Sequence, residues 1–203
     1  MPSRRSRSSR QAQDRLPPVR QALLAAAESL LERGGPTALT WRAIAREAGV
    51  SHNAAYHYFE SREALLAAVA ARAFDDLRRA VDAVAARGRP AGRRRAGGLA
   101  YVRYALDAPQ RFRLMFSPEL GNRRRHPELE RSATAAFAAL MGVVGLPPSG
   151  GKPTGAAAIG AAAAWSLVHG LAVLLVDRQI DASLTRAAAL RLAERVLQRV
   201  ELH

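Results

Sequence analysis

Side chains able to do covalent chemistry are few and poorly grouped in this sequence. Ser166 and His169 fall on one helical stretch with no acidic residue beside them, so an acyl-transfer centre would lack both an oriented base and an oxyanion hole. The five His residues show no metal-ligand spacing, and neither an HExxH motif nor a Gly-rich phosphate loop occurs. The absence of Cys excludes a disulfide-stapled secreted module and a thiolate-bound zinc. The residues therefore point away from an enzyme and call for no metal or cofactor.

The chemistry that remains is recognition of a polyanion. Lys and Arg number 31 against 17 Asp and Glu, a net charge of +14, and of the basic residues only Lys152 is not Arg. Such an excess favours nucleic acid or an anionic surface without specifying a fold. Its placement is uneven: residues 1–20 hold six Arg against Asp14, whereas residues 21–60 hold three Arg against four Glu, a net of −1. Further positive charge lies at Arg87–Arg95 and Arg123–Arg125. The opening run to residue 15 has almost nothing apolar to bury, so it is expected to be a disordered Arg-rich arm; no apolar segment follows the charges as in a secretory signal.

The elements that must carry recognition are helices. Apolar residues recur at three and four throughout the 203-residue chain and never alternate for long, so the expected fold is all-α. Pro17 and Pro18 preset a first helix from Pro18 to Arg33, and Gly34-Gly35-Pro36 stops it. Thr40, Ser51 and Ser61 read as N-caps of three further helices, the last a long one carrying Leu65, Val69, Ala73, Leu77, Val81 and Val84. The Gly88–Gly98 stretch is expected to break it. Later helices are expected at about 96–107, 109–116, 127–145, 154–176 and 183–201.

Thr40-Trp41-Arg42-Ala43-Ile44-Ala45-Arg46-Glu47-Ala48-Gly49-Val50-Ser51 reads as a helix-turn-helix. Two short helices cross closely, so the small Ala45 sits where a larger side chain would clash, Gly49 frees the backbone for the turn, and Val50 plugs the shared core. Tyr56-His57-Tyr58-Phe59-Glu60-Ser61-Arg62-Glu63-Ala64-Leu65-Leu66 then closely resembles the signature that ends the recognition helix and opens the fourth helix in the TetR family of transcriptional regulators. With the first helix the resemblance covers about residues 18–69. Arg62 in place of the usual Lys, and Trp41 in place of an aliphatic residue, depart from the family pattern.

The resemblance implies a DNA-binding head at 16–62, a ligand-binding and dimerisation domain at 63–203, and a dimer that reads a palindromic operator. By position, His52, Asn53, Ala54 and His57 would face base edges, and Arg42 would reach DNA from the preceding helix. Asn53 suits adenine and Arg42 guanine, because their side chains offer the matching bidentate geometry. Thr40, Ser51, Tyr56 and Arg62 fall at phosphate-contact positions, while Tyr58 and Phe59 are expected in the core. The arm would follow the phosphates or enter a minor groove.

Residues 153–176 carry no charged side chain. Length would allow a membrane span, but an Ala-dominated helix has little drive to insert, so a buried helix at a subunit interface is expected instead. Trp165-Ser166-Leu167-Val168-His169-Gly170 resembles the Trp-His-Gly signature of one C-terminal domain class in the same family, which the segments at Tyr101–Leu106 and Pro109–Phe116 also fit. Trp165 and His169 share a helix face and are expected to line a cavity with Tyr101, Phe112, Met115, Phe116 and Phe137, suited to a lipophilic small molecule. Leu171, Leu174, Leu190, Ala193, Leu197 and Val200 are expected at a homodimer interface. The sequence thus describes a cytoplasmic, ligand-responsive DNA-binding regulator that acts by default as a repressor, with no membrane partner. The rival reading is a nonspecific, nucleoid-type protein, supported by the charge alone.

Overall fold

The computed structural model describes residues 18–85, 90–143 and 155–199. The Arg-rich arm and Val200 lie outside that range. Among the described residues the elements are nine α-helices and three 3-10 turns, with no strand. The helices are α1 (Pro18–Gly34), α2 (Trp41–Glu47), α3 (His52–Tyr58), α4 (Arg62–Ala85), α5 (Pro90–Asp107), α6 (Pro109–Met115), α7 (Pro127–Val143), α8 (Gly155–Val176) and α9 (Arg186–Arg199). The chain divides into two compact units, Met1–Val69 and Ala70–His203. The division falls inside α4, which contributes its first turns to one unit and the rest to the other.

The first unit is built from short, capped helices. Leu23, Leu24, Ala27 and Leu31 of α1 pack with Ile44 and Ala45 of α2, Ala55 of α3 and Phe59 in one fully enclosed core. Thr40 Oγ1 accepts the Ala43 N–H at 3.2 Å, and Ser61 Oγ accepts the Ala64 N–H at 3.0 Å, so both hydroxyls satisfy donors that a helix start leaves orphaned. The α2–α3 turn is a Schellman cap. Gly49 has φ +68°, its N–H bonds the Arg46 carbonyl at 3.2 Å, and the Val50 N–H bonds the Ala45 carbonyl at 3.0 Å. Val50 is only half-buried, so its backbone, more than an apolar plug, closes the turn.

In the second unit α5 is the central helix, contacted by α6, α7, α8 and α9. It begins at Pro90, earlier than the expected residue 96, and Gly97 and Gly98 lie inside it. Both fall within the helix expected at about 96–107, and they serve there as packing positions. A Cβ on Gly97 would stand 2.5 Å from Val143 Cγ2 at the end of α7, and one on Gly98 would stand 3.1 Å from Leu197 Cδ2 of α9. Two neighbouring helices can approach α5 only because both side chains are missing, which offsets the helix propensity that glycine forfeits.

The first turn of α9 starts at Arg186, where Thr185 Oγ1 accepts the Ala188 N–H at 3.3 Å. Arg–Asp pairs tie distant parts of this unit together. Arg113 binds Asp177 through Nε at 2.9 Å and Nη2 at 2.7 Å, Arg111 meets Asp76 at 3.0 Å, and Arg186 pairs with Asp107. Part of the positive excess is therefore neutralised within the fold.

Candidate functional site

The exposed face of α3 is short and mostly uncharged. His52, Asn53, Tyr56 and His57 are all exposed, with Ala54 in the same helix; Thr40, Arg42, Ser51 and Arg62 are exposed around them in the first unit. Positions 52, 53, 56 and 57 repeat at one and four, so a single helix face presents two imidazoles, an amide and a phenol. The resulting chemistry is hydrogen bonding from imidazole, amide and phenol groups, the side-chain types able to pair with base edges.

Trp41 explains how that face is held. Its ring packs on Tyr56 at 5.2 Å between centroids, and Tyr56 meets His52 edge-on at 5.3 Å. Tyr56 is thereby held by two ring contacts although 52% exposed. Arg62 donates from Nη2 to the Pro36 carbonyl at 3.1 Å, so this guanidinium also braces the head. Arg33 binds Glu47 at 2.8 Å and holds its carboxyl below the ordinary range. Phe59 is buried as expected and lies under the Arg20 guanidinium, 5.3 Å from the ring centroid.

The second unit contains a cavity of about 570 Å³, within the ~300–1,000 Å³ typical of small-molecule sites. Phe74 and Leu77 of α4, Tyr101 of α5, Met115 and Phe116 at the end of α6, Phe137 of α7 and Trp165 of α8 form its apolar wall. Ser117, Arg123, Glu130 and Thr134 supply polar groups. Of the seven residues expected at a pocket, Phe112 and His169 do not line it. They stand one layer behind, where His169 packs 4.4 Å from Phe116 and 5.6 Å from Phe112. Trp165 and His169 share a helix face, but α5 passes beside His169 and brings Tyr101 to its Nδ1.

Tyr101 and His169 form the polar joint of that layer, with the phenol oxygen 2.9 Å from Nδ1. Burial raises the Tyr101 pKa well above its ordinary value, the Trp165 side chain acting weakly in the opposite sense. Burial also lowers the His169 pKa. A protonated phenol and a neutral imidazole share one hydrogen bond, whose donor is set by the histidine tautomer. A sign follows for stability. As pH falls below the ordinary histidine value of 6.5, the unfolded chain takes up a proton that folded His169 resists, so this residue contributes stability above that pH and loses it below. Thermal midpoints between about pH 7.5 and 5.5 should fall less steeply for His169→Gln than for the parent.

The residues expected at a subunit interface separate. Ala193 is fully buried and Leu171 nearly so within their own unit, and Leu197 rests on Gly98; these positions face inward because α9 packs its apolar seam on α5. Leu190 is half-buried and Leu174 is exposed. On α8 an apolar stripe of Ile159, Ala162, Ala163, Ser166 and Leu174 remains uncovered, whereas the outer face of α9 carries Arg191, Arg195 and Arg199. By length and composition α8 could cross a membrane, yet Ala161, Ala164, Val168, Leu171, Ala172 and Leu175 are buried in the fold. Among the described residues no His, Cys, Asp and Glu side chains group as a metal site.

Comparison with known proteins agrees with this architecture. Residues 23–69 match the family model described as bacterial regulatory proteins, tetR family, and residues 94–200 match that of the tetracyclin repressor-like C-terminal domain. A solved structure of a protein with unknown function from Rhodococcus sp. RHA1 is 28% identical with TM-score 0.68, covering 89% of this chain and 94% of that one. The multidrug binding protein EbrR, solved with imidazole, is 21% identical with TM-score 0.60, covering 89% and 93%. The regulator FadR from Bacillus subtilis, solved with stearoyl-CoA, is 12% identical with TM-score 0.63, covering 88% and 95%. The last two likenesses establish the fold alone. No curated protein matches the chain. A helix-turn-helix head matched over residues 23–69 and a helical second unit matched over residues 94–200 make this chain a member of the tetR family of bacterial regulatory proteins, a DNA-binding transcriptional regulator.

Proposed function

We propose that the protein is a cytoplasmic repressor that binds a palindromic operator as a homodimer and is released by a lipophilic small molecule. The observation that carries this reading is the pairing of an exposed α3 face of His52, Asn53, Tyr56 and His57 in one unit with an aromatic-lined cavity in the other. His52, Asn53, Ala54 and His57, with Arg42, read bases; Thr40, Ser51, Tyr56 and Arg62 contact phosphates. The uncovered stripe of α8, from Ile159 to Leu174, packs on its copy in a second chain, where small residues allow close approach. EbrR with its imidazole and FadR with its stearoyl-CoA support a ligand role for the second unit.

Release requires that the effector bind two conformations with different affinity. Because α4 runs unbroken from the head into the cavity wall at Phe74 and Leu77, a shift of those residues is transmitted along one helix. Light scattering at micromolar concentration tests the assembly, with a dimer mass expected and a monomer mass contradicting it. Competition against random duplex tests the regulator reading, which requires at least a ~10³-fold preference for one palindrome. A nonspecific condensing protein would bind both alike.

The Arg-rich arm adds attraction that is tolerant of sequence. Deleting residues 1–15 is expected to weaken binding to operator and random duplex alike. The dependence of log K on log salt should flatten by about 0.9 for each phosphate that the arm neutralises. An unchanged salt slope would remove the arm from the interface.

A further inference from the structure

We propose that the cavity of the second unit takes a flat organic cation, a quaternary or protonated aromatic amine, with Glu130 as its counter-charge. This rests on the effector reading above and names the chemical class of the effector.

Phe116, Phe137 and Trp165 are 36%, 37% and 37% exposed although all three belong to the apolar wall of the cavity. Tyr101, also in the wall, and Phe112 behind it are buried. The three outer rings thus present surface to open space. Phe137 stands perpendicular to Trp165 at 6.1 Å, and Phe116 is tilted 43° to Trp165 at 6.5 Å, so they surround a guest from different directions and do not stack on one another. Aromatic faces carry negative potential, which attracts a cation and repels an anion.

The charged groups at the cavity divide in the same sense. Glu130 is half-buried on α7 and shares a helix face with Thr134 and Phe137, and its carboxylate forms no ion pair among the described residues. Arg123 also borders the cavity, but it is exposed on the turn Arg123–Arg125, where water screens its charge. Behind the rings, the Tyr101–His169 joint is neutral and places no positive charge that would oppose a cation. Inside the lining the carboxylate is therefore the less screened charge, and the rings add to its preference.

Three probes of one shape separate the alternatives: N-methylacridinium, a cation; acridine, uncharged at about pH 7.5; and acridine-9-carboxylate, an anion. Each is titrated calorimetrically into the full-length protein without DNA. The cation is expected to bind about tenfold or more tighter than either of the others. Glu130→Gln should remove most of that advantage, leaving the part supplied by the rings, while acridine affinity stays unchanged, which also shows that the cavity is intact. Arg123→Gln should not weaken the cation. Tightest binding by the carboxylate, or a cation preference undiminished in Glu130→Gln, overturns the proposal and leaves the cavity as an effector site. If none of the three binds, the proposal fails and the effector reading of this cavity fails with it.

Discussion

Asn53→Ala is expected to lower affinity for the operator by about 10- to 100-fold while changing binding to random duplex little. The amide is exposed in the second position of α3, next to His52, where a bidentate bond to adenine is worth roughly 1–3 kcal/mol of discrimination. Arg42→Ala should cost a similar amount and relax the choice of guanine at its own position. The two residues lie on different helices and on our proposal read different bases, so the losses should be nearly additive. Arg62→Ala separates phosphate from base contacts: binding should weaken on all duplexes and the salt slope should fall by about one. Some loss of head stability is expected as well, because Arg62 also holds the Pro36 carbonyl. Direct titration of both duplexes at two salt concentrations distinguishes these effects.

Gly97→Leu is expected to destabilise the second unit by about 2–3 kcal/mol, on the order of 10 °C in Tm. Even a Cβ there would lie 2.5 Å from a methyl group of Val143, a stiff β-branched side chain at the end of α7, so the helices must move apart or leave their rotamers. Gly92, in the same helix, has nothing within 4 Å of the corresponding position, and Gly92→Ala should instead stabilise by roughly 0.5–1 kcal/mol. Opposite signs for two glycines of one helix, read by thermal or urea melts, would show that packing and not propensity governs α5. Equal signs would contradict that description of the helix.

Local devices were legible in the sequence because their causes are local. Thr40 and Ser61 announced helix starts by a side chain that reaches a backbone N–H three residues on, and both bonds form. Gly49 announced a turn and adopts the left-handed conformation that glycine tolerates. The Gly88–Gly98 stretch signals an end to α4, which closes at Ala85; that Gly97 and Gly98 are helix-packing positions depends on the approach of Val143 and Leu197 from distant sequence, which no local signal encodes. The aromatic support of the α3 face was half visible. Tyr56 was expected at the surface, but its contact with Trp41 follows from the crossing of α2 and α3, which spacing within either helix does not encode.

Depth was the least legible quantity. Trp165 and His169 share a helix face, yet one borders the cavity and the other bonds Tyr101 behind it, a distinction set by where α5 and α6 pass. Ala193 and Leu197 form an apolar seam on α9 that suits a partner helix of any chain; the fold supplies one internally in α5. The Arg–Asp pairs of Arg113 with Asp177 and Arg186 with Asp107 join residues far apart in sequence, so the +14 net charge overstated what is free to meet DNA.

The most direct test is selection of bound duplexes from a random pool by the full-length protein near physiological salt. Enrichment of one inverted repeat, with half-sites about one helical turn apart or a multiple of it, is the expected result, and Asn53→Ala should blur an adenine position within each half-site. A pool recovered with no enriched sequence, or one whose retention depends only on salt, would contradict a base-reading role for α3.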